Sequence, residues 1–440
     1  MSQAAGVAQA TSTTAYAGSP APAATTPSAS DAVAGRPAGT TTTTTKTPRW
    51  LAQWRRIIAS VCIIASALTA LMLFNTWQET RAASADTAQL VRVQTIKVNL
   101  LRADALATNA FLVGGLEPAQ QRAAYDTALA EVERTLTDAA QAQPADRAAL
   151  AALNEAVLTY TSAMELARAN NRQGFPVGAA YLNQASTGLR STALPLVDNL
   201  VTANQQRSRD AMSPLPWTLV VIPGLFALVA LGYLNQQLAR RFRRRFNVGI
   251  VAAGAATLVM VGLAGLAAGN QGSEDSRLLQ GSYATVVDGA IARSAANDAK
   301  ANESLRLISR GSGATYEKKW STAAATVVDK TSGDTLGPAE GQWRTYAEEH
   351  AKIVALDTAG NWDQAVAAAT SSAGGSSTAD FNALDASLRE VVDTAGSATT
   401  ADLDSGRFLF LGVLVLALAA GLAGAASAWR GVTTRIEEYA

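Results

Sequence analysis

The hydrophobic pattern of this chain is dominated by four apolar stretches that contain no charged residue. They run from Ile57 to Phe74, from Trp217 to Leu234, from Val248 to Gly269 and from Phe408 to Ala428. A helix of about 20 apolar residues crosses a bilayer. The pattern therefore predicts four transmembrane helices, at residues 57–77, 215–235, 247–269 and 408–429. The first begins too far along the chain for a cleaved signal peptide, so we expect an uncleaved anchor.

Basic residues flank these stretches on one side. They are Arg36, Lys46, Arg49, Arg55 and Arg56 before the first, Arg240, Arg241, Arg243, Arg244 and Arg245 between the second and third, and Arg430 and Arg435 after the fourth. Lys and Arg next to membrane helices stay in the cytoplasm. We therefore expect a multi-pass protein of the plasma (inner) membrane, with both termini, the loop 236–246 and the tail 430–440 in the cytoplasm.

Two long segments, residues 78–213 and 270–406, would then face outward. Their apolar residues recur with the 3-4 spacing of helices, and this spacing continues straight out of the spans. Breaks such as Gln143-Pro144 and Gly311-Ser312-Gly313 divide each segment into four helices. Alternating β-branched runs are absent from the sequence. The predicted fold class is all-α, an integral membrane protein with two extracytoplasmic four-helix bundles.

The two outer segments differ in charge. Residues 78–213 hold 12 basic and 13 acidic residues, whereas residues 270–406 hold 11 basic and 19 acidic residues. The difference indicates that the two segments do not share one partner surface. Ordinary solvation of a helical surface is the alternative explanation.

The two halves of the sequence repeat each other. Ile57 and Val248 begin the first and third spans, and Trp217 and Phe408 begin the second and fourth, with an offset of 191 residues in both cases. Further residues fall in step with small gaps: Asp104 with Asp298, Asn109 with Glu303, Phe111 with Leu305, Tyr125 with Tyr316, Tyr160 with Tyr346 and Phe175 with Trp362. An ordered series of this kind predicts an internal duplication.

Residues 1–48 differ in composition from the rest of the chain. Ala, Thr, Ser, Gly and Pro dominate them, and nothing in this segment can bury a core. We expect a disordered cytoplasmic tail. Its Thr run and Thr47-Pro48 are candidate phosphoacceptors, and an entropic tail without modification is the alternative.

The composition leaves little material for catalysis. Hydrophobic residues make up 48% and charged residues 16% of the chain, and Cys62 and His350 are the single Cys and His. A zinc site or a Ser-His-Asp triad is not expected from this set, and phosphate-binding glycine motifs are absent from the sequence. We predict no enzyme, no cofactor, no metal and no nucleic-acid partner. His350 is expected to be an ordinary surface residue, with pH sensing as the alternative.

Small residues line the predicted spans. They are Gly265 and Gly269 in the third span and Ala417, Gly421 and Ala425 in the fourth. Such spacing lets helix backbones approach closely in a membrane. The pattern predicts helix packing, either within one chain or in a homodimer.

Two surfaces are candidates for partner contacts. The outer one comprises the membrane-distal turns at Gly114, Gly115, Phe175, Gly311 and Trp362. The inner one comprises Arg240, Arg241, Arg243, Arg244 and Arg245 with Arg435, Glu437, Glu438 and Tyr439, which would contact a cytoplasmic partner or anionic lipid. The inner segments are too short for a kinase or cyclase, so any output would belong to another protein. A helix shift of about 1–2 Å would suffice as the signal.

The organisation resembles known sensory proteins. The order of span, four-helix bundle and span is similar to the sensing part of bacterial chemoreceptors, and Ala-Gly-Asn-Trp followed by Asp-Gln-Ala within Ala355 to Ala369 resembles the inter-helix turn of those domains. From Trp50 to Ala440 the chain also resembles the actinobacterial GlnX family, through its four spans, its Arg-rich inner loop and its C-terminal Arg-Ile-Glu-Glu-Tyr.

The second resemblance implies a relay. An amino-acid-binding lipoprotein of the GlnH type would dock on the outer bundles, and a cytoplasmic Ser/Thr kinase of the PknG type would be regulated from the inner face. The alternatives are a direct small-ligand sensor of the chemoreceptor type and an envelope scaffold without a sensing role. A pocket with converging charges between helices would favour direct binding, and an exposed apolar distal patch would favour a docked protein.

Overall fold

The computed structural model describes residues 46–113, 117–174, 176–213, 216–242 and 247–437, and all regular structure in these residues is helical. The helices are α1 (Lys46–Val113), α2 (Ala119–Ala142), α3 (Arg147–Arg172), α4 (Val177–Gly188), α5 (Leu194–Ala211), α6 (Trp217–Phe242), α7 (Val248–Gln280), α8 (Ser282–Ile308), α9 (Ala314–Thr331), α10 (Ala339–Thr358), α11 (Trp362–Thr370) and α12 (Ser377–Glu437). The predicted all-α class is confirmed. The predicted tail falls outside the described residues except at its end, where α1 already begins at Lys46.

Four helices, α1, α6, α7 and α12, are long and apolar enough to cross a membrane. Their apolar parts pack together around small residues such as Ala253 and Ala264, both fully buried. Large side chains point away from this core, and Phe226, Val229 and Leu266 are 74%, 73% and 68% exposed. A small-residue interior with a bulky apolar exterior is typical of helices that pack within lipid.

The outer part of α1 forms a first bundle with α2, α3, α4 and α5. Leu100 of α1, Val132 of α2, Leu153 of α3 and Val197 of α5 meet in its core with no exposed surface. Each helix presents such residues at 3-4 spacing, which explains why a helical pattern in sequence becomes one buried face. Burial of each Leu or Val contributes about 1.5–3 kcal/mol.

The returning helix of the first bundle is interrupted by one π-helical turn, Leu189–Ala193, between α4 and α5. Pro195 follows directly and lacks the N–H that an α-helical ladder requires. The helix is widened into a π-helical turn just before this proline, and Arg190 lies within that turn.

The second bundle comprises α8, α9, α10 and α12, with the short α11 at its end. Its core is aromatic, since Trp343, Tyr346 and Phe381 are all at most 4% exposed and Trp320 packs against them. Trp320 and Trp343 stack at 5.8 Å between ring centroids. Ring pairs of this kind stabilise a core beyond their buried area.

The two bundles are joined side by side along α1 and α8. Asn109 of α1 donates to the carbonyl of Ala369 at 3.0 Å, and Tyr316 of α9 donates to Asn183 of α4 at 3.0 Å. Leu305 of α8 packs into the core of the first bundle. We call this junction the seam.

The helices that connect the seam to the apolar spans differ in continuity. α1 and α12 run without a break over 68 and 61 residues, about 100 and 90 Å at 1.5 Å per residue. The helix that follows the third apolar span is divided into α7 and α8 at Gly281, whose backbone leaves the helical region at φ −104° and ψ −113°. Two unbroken helices, α1 and α12, therefore connect the seam to the apolar spans, whereas the connection through α8 and α7 is interrupted.

Candidate functional site

A cavity of about 200 Å³ opens at the seam between α1, α2, α8 and α12. We call it the seam cavity. Its polar lining includes Arg102, Asn109, Gln121, Asn297, Lys300 and Asn382. Leu106 and Phe381 supply apolar walls, and no acidic side chain is among the described residues that line it. Nine of the thirteen residues that line the cavity are polar or charged, so it offers several hydrogen-bonding groups to a small polar molecule.

One carboxylate at the seam is shared by two arginines. Asp385 of α12 accepts from Nε and Nη2 of Arg293 at 2.8 and 3.0 Å, and it also pairs with Nη1 of Arg102 on α1. Both Asp385 and Arg293 are buried. Two guanidinium groups and one carboxylate leave one positive charge in excess beside the seam cavity.

Burial and neighbouring positive charges both disfavour the charged form of Arg293. Burial, followed by the neighbouring charges of Arg102 and Arg389, lowers the pKa of Arg293 to about 9. Burial and Arg389 also lower the pKa of Arg102. A cationic group disfavoured by its own surroundings is stabilised by any anion that enters.

Two amide oxygens beside the cavity have no hydrogen-bond partner among the described residues, Oδ1 of Asn297 and Oε1 of Gln121. Asn297 has no exposed surface, and its Nδ2 donates to Asp385 at 2.9 Å and to the Arg293 carbonyl at 2.9 Å. The opposite amide orientation would place Oδ1 against the Asp385 carboxylate, so the network fixes the assignment. Buried acceptors left open in this way point to a missing donor.

Behind the seam cavity lies a buried ionic network centred on Glu303 of α8. Its carboxylate accepts from Lys300 at 2.6 Å, Ser377 at 2.8 Å, Tyr346 at 3.2 Å and Nδ1 of His350 at 2.9 Å. Glu303 itself has no exposed surface. Burial alone would raise the pKa of Glu303, but the charge of Lys300 and the hydrogen bond from His350 lower it to about 2. The charge of Lys300, which lines the cavity, is thus balanced by the buried carboxylate of Glu303.

His350 is where the structure contradicts the expectation from sequence. It was expected at the surface, yet it is 2% exposed and stacks on Trp320 at 3.8 Å between centroids. Burial would lower its pKa, but hydrogen bonds to Glu303 and Glu317 raise it above the ordinary 6.5. The signal was present in the sequence, because Trp343, Tyr346, His350 and Ile353 share one 3-4 stripe.

The opposite side of the seam carries the reverse charge balance. Arg190, in the π-helical turn, pairs with Asp104 of α1 at 2.6 Å and with Asp298 of α8 at 2.6 Å. Burial would lower the pKa of Arg190, but these two carboxylates raise it. A groove of about 170 Å³ beside it is lined by Asn183, Tyr316 and Lys319 among others. Here one guanidinium serves two carboxylates.

A third cavity, of about 270 Å³, lies within the first bundle. Arg168 crosses it, paired with Glu117 at 3.2 Å and Glu165 at 3.0 Å, and its guanidinium lies 3.8 Å from the Tyr125 ring centroid. Arg122 and Arg172 also line this cavity; Arg122 is paired with Asp126 and Glu165, whereas Arg172 forms no ion pair among the described residues. We take the seam cavity as the primary candidate because it lies where the two bundles meet. Among the described residues, no group of three His, Cys, Asp or Glu side chains is placed to hold a metal ion.

Of the residues predicted for outer partner contacts, the two that the structure describes, Gly311 and Trp362, do not line the seam cavity. Gly114, Gly115 and Phe175 lie outside the described residues. Gly311 is exposed in a turn and adopts a left-handed backbone, φ +78°. Trp362 is half-buried, donates from Nε1 to the Leu307 carbonyl at 2.9 Å and carries Arg310 over its ring.

The residues predicted for inner contacts are only partly described. Arg240 is exposed near the end of α6, and Glu437 is exposed at the end of α12. Arg241 and Arg435 belong to the same helices. Arg243, Arg244, Arg245, Glu438 and Tyr439 lie outside the described residues. The ends of α1 and α12 meet nearby, where Arg55 donates to Thr433 at 3.1 Å and lies 3.9 Å from the Trp429 ring centroid.

The small residues predicted for membrane packing have different surroundings. Ala417, Gly421 and Ala425 face the interior, and a side chain at Gly421 would collide with Ser66 of α1. A Cβ at Gly265 would lie 3.1 Å from Val221 of α6. Gly269 is exposed, and a Cβ added there would have no atom of the described residues within 4 Å, apart from its own helix.

Sequence reasoning missed the seam residues themselves. Arg102, Asp104 and Asn109 interrupt the apolar stripe of α1, and polar residues on a buried helix face signal a specific interaction. Their partners, Asp385, Arg190 and the Ala369 carbonyl, are 86 to 283 residues away in sequence. That separation explains why the sequence alone did not reveal the pairs.

Residues 79–213 match the family model described as an actinobacterial sensor domain. The matched range comprises the outer part of α1 together with α2 to α5, that is, the first bundle. Over this range the chain is similar to an actinobacterial sensor, which indicates a sensing role. Neither a curated protein nor a solved structure matches the chain. The resemblances to chemoreceptors and to the GlnX family therefore stay expectations.

Proposed function

We propose that this protein is a transmembrane sensor. A ligand bound in the seam cavity would change the positions of α1 and α12, and these helices would carry the change across the membrane. The observation that carries the proposal is that both unbroken helices line the cavity and also supply apolar spans. Arg102 lies 28 residues from Phe74, and Phe381 lies 27 residues from Phe408, roughly 40 Å of straight helix in each case. A ligand that changes the spacing of α1 and α12 acts directly on two spans.

The proposed topology places the bundles outside the cell and both termini in the cytoplasm. It is supported by the Lys and Arg residues that cluster at one end of the spans. Exposed Arg240 and Glu437 lie at that end, with the Arg-rich loop between α6 and α7. The sensor therefore delivers its output to a cytoplasmic partner, for which a Ser/Thr kinase is our candidate.

We further propose that the two halves arose by duplication. The helices follow the same order in both halves. Tyr160 and Tyr346, paired in the predicted repeat, are both fully or nearly fully buried. Each hydroxyl donates to a carboxylate, Asp104 at 3.5 Å and Glu303 at 3.2 Å, although the repeat pairs Asp104 with Asp298 and not with Glu303. A duplicated chain carries within one molecule an interface that a dimer would otherwise supply.

A docked solute-binding lipoprotein is the second candidate input. Val113, Leu166 and Val177, toward the membrane-distal end of the first bundle, are 41%, 49% and 45% exposed. Exposed apolar side chains of this kind suit a protein contact. Direct binding is the better-supported input, because it has a cavity with charges that converge between helices.

The relay is tested without a ligand by weakening the seam. In a Cys62→Ser background, spin labels at the exposed positions Gln236 and Thr434 report the distance between α6 and α12 at the inner end. Asp385→Asn, which loosens α12 from Arg293 and Arg102, should shift that distance. Two glycines inserted after Gly406 should abolish the shift, because they uncouple α12 from its span. If the distance between the two labels is the same in Asp385→Asn as in the wild type, the proposal is wrong.

The partners are tested by crosslinking in native membranes followed by mass spectrometry. Recovery of a soluble kinase that is lost when Arg240, Arg241 and Arg243 to Arg245 become Gln would support the cytoplasmic relay. A solute-binding lipoprotein in the same sample would support the docked input. Recovery of envelope proteins alone would favour a scaffold instead.

A further inference from the structure

We infer that the seam cavity binds a small carboxylate that also carries an N–H or O–H hydrogen-bond donor. The choice of this cavity rests on the sensing role proposed above. The ligand class follows from the charges and open hydrogen-bonding groups around it, and its test does not depend on signalling.

The preference for an anion follows from the ratio of charges at the seam, where two arginines share one carboxylate. Arg293 occupies both oxygens of Asp385, and Arg102 must share the same carboxylate. Arg102 is the more accessible of the two arginines, with 26% of its side chain exposed, and it lines the cavity. It forms no further ion pair among the described residues. Its planar fork suits a carboxylate with two oxygens.

Lys300 does not add to this attraction, although it also lines the cavity. Its ammonium donates to Glu303, Ser377 and, at 3.4 Å, the Ala369 carbonyl. Its three donors are therefore already engaged. Arg102 is the anion anchor, and Lys300 is part of the wall.

The donor requirement follows from the two open acceptors. Asn297 is fully buried, its amide orientation is fixed by Asp385, and its Oδ1 has no partner. Gln121 donates to Asn109 at 3.0 Å, which leaves its own Oε1 open. A plain carboxylate would satisfy Arg102 but offer nothing to these oxygens. A hydroxyl or ammonium beside the carboxylate satisfies both kinds of group.

Size restricts the ligand further. About 200 Å³ lies below the roughly 300–1,000 Å³ of sites for drug-sized molecules. Leu106 and Phe381 close the apolar sides. A chain of about four carbons is a suitable length for this volume, so we choose probes of that size.

The opposite groove provides an internal contrast. There the guanidinium of Arg190 is already paired with the carboxylates of Asp104 and Asp298, so it is not available to bind an anion. Lys319 is exposed and lines that groove rather than the seam cavity. Lys319→Gln removes the same charge as Arg102→Gln and is the matched control.

The test is calorimetric titration of the full chain in lipid nanodiscs with four probes of equal carbon number: succinate, malate, aspartate and 1,4-diaminobutane. We expect malate or aspartate to bind at least tenfold more tightly than succinate, and the diamine not to bind. Arg102→Gln should weaken binding at least tenfold, with Lys319→Gln unchanged. Asn297→Ser should reduce the preference for malate or aspartate over succinate.

Each contrary result has a distinct meaning. Equal binding of succinate and the two donor-bearing acids would overturn the donor requirement, and binding of the diamine alone would overturn the anion preference. No binding by any acid would overturn the ligand class, while the inner-distance experiment with Asp385→Asn would still judge the relay. Arg102→Lys keeps the charge without the fork and serves if Arg102→Gln does not fold; it should bind at intermediate strength.

Discussion

Glu303 and His350 are joined by a hydrogen bond of 2.9 Å that links α8 to α10 inside the second bundle. Both side chains are almost completely withdrawn from solvent. Lys300, Tyr346, Glu317, Trp320 and Arg306 complete the surroundings of this pair. With His350 protonated, the positive charges of Lys300, His350 and Arg306 balance Glu303, Glu317 and Asp357. Loss of the proton from His350 would therefore leave this buried cluster with one negative charge in excess.

The stability of the second bundle should decrease as pH rises through the pKa of His350. The folded pKa is raised above the unfolded value of about 6.5, so the contribution is fully present below that value and is lost as pH rises through the folded pKa. Glu303 acts at the other end of the scale, since its pKa of about 2 affects stability only in acid. Thermal unfolding between pH 5 and 9 should show the alkaline decline in the wild type. The decline should vanish in His350→Gln, and a decline that persists there would assign it to another group.

Removal of the Glu303 charge should be strongly destabilising. Glu303→Gln leaves Lys300 buried without its counter-charge, which costs about 3–5 kcal/mol for pairs of this kind. Urea unfolding followed by tryptophan fluorescence measures the loss, since Trp320 and Trp343 lie in the same core. Glu349→Gln, which breaks a surface pair with Lys352, is the control and should leave the stability close to that of the wild type. Equal effects of the two variants would contradict the role given to Glu303.

The sequence predicted those parts of the fold that depend on local periodicity. Apolar length identified the four long helices, and 3-4 spacing identified the helical outer segments. Local periodicity could not predict how the two bundles pair, because Asn109 and Ala369 are 260 residues apart in the sequence. His350 was misplaced for another reason. Its neighbours Glu348, Glu349 and Lys352 indicate solvent, whereas the stripe through Trp343 and Tyr346 indicates the core, and burial of aromatic area outweighs exposed charge.

The candidate site was even less accessible to sequence reasoning than the fold. The predicted contact residues lie at turns and chain ends, where function is often found. The cavity instead lies near the end of α1 and the beginning of α12, on helix faces that meet other helices. Only the polar interruptions of the α1 stripe, Arg102, Asp104 and Asn109, indicated that this helix face does more than pack.

Because the spans pack closely, substitution of Gly421 by a large residue should destabilise the protein much more than the same substitution at Gly269. Gly421→Leu would drive a side chain into Ser66 and the Cys62 carbonyl, and overpacking of this kind costs about 1–3 kcal/mol. The apparent Tm of the protein in detergent should fall by several degrees. Gly269→Leu is the matched control, because nothing lies within 4 Å of its added Cβ. A similar loss at both positions would mean that the spans do not pack as described.

The fork of Arg190 should matter more than its charge. One guanidinium reaches Asp104, which has no exposed surface, and Asp298 on the neighbouring helix, so it joins α1, the π-helical turn and α8. Arg190→Lys keeps the charge but replaces the planar fork with a single ammonium that cannot reproduce both contacts. We expect a loss of about 1–3 kcal/mol, with faster amide exchange at Leu189–Ala193 and in α8, while Arg134→Lys at the exposed pair with Glu131 stays close to wild type. Exchange that is unchanged in Arg190→Lys would show that charge alone holds the two bundles together at this side of the seam.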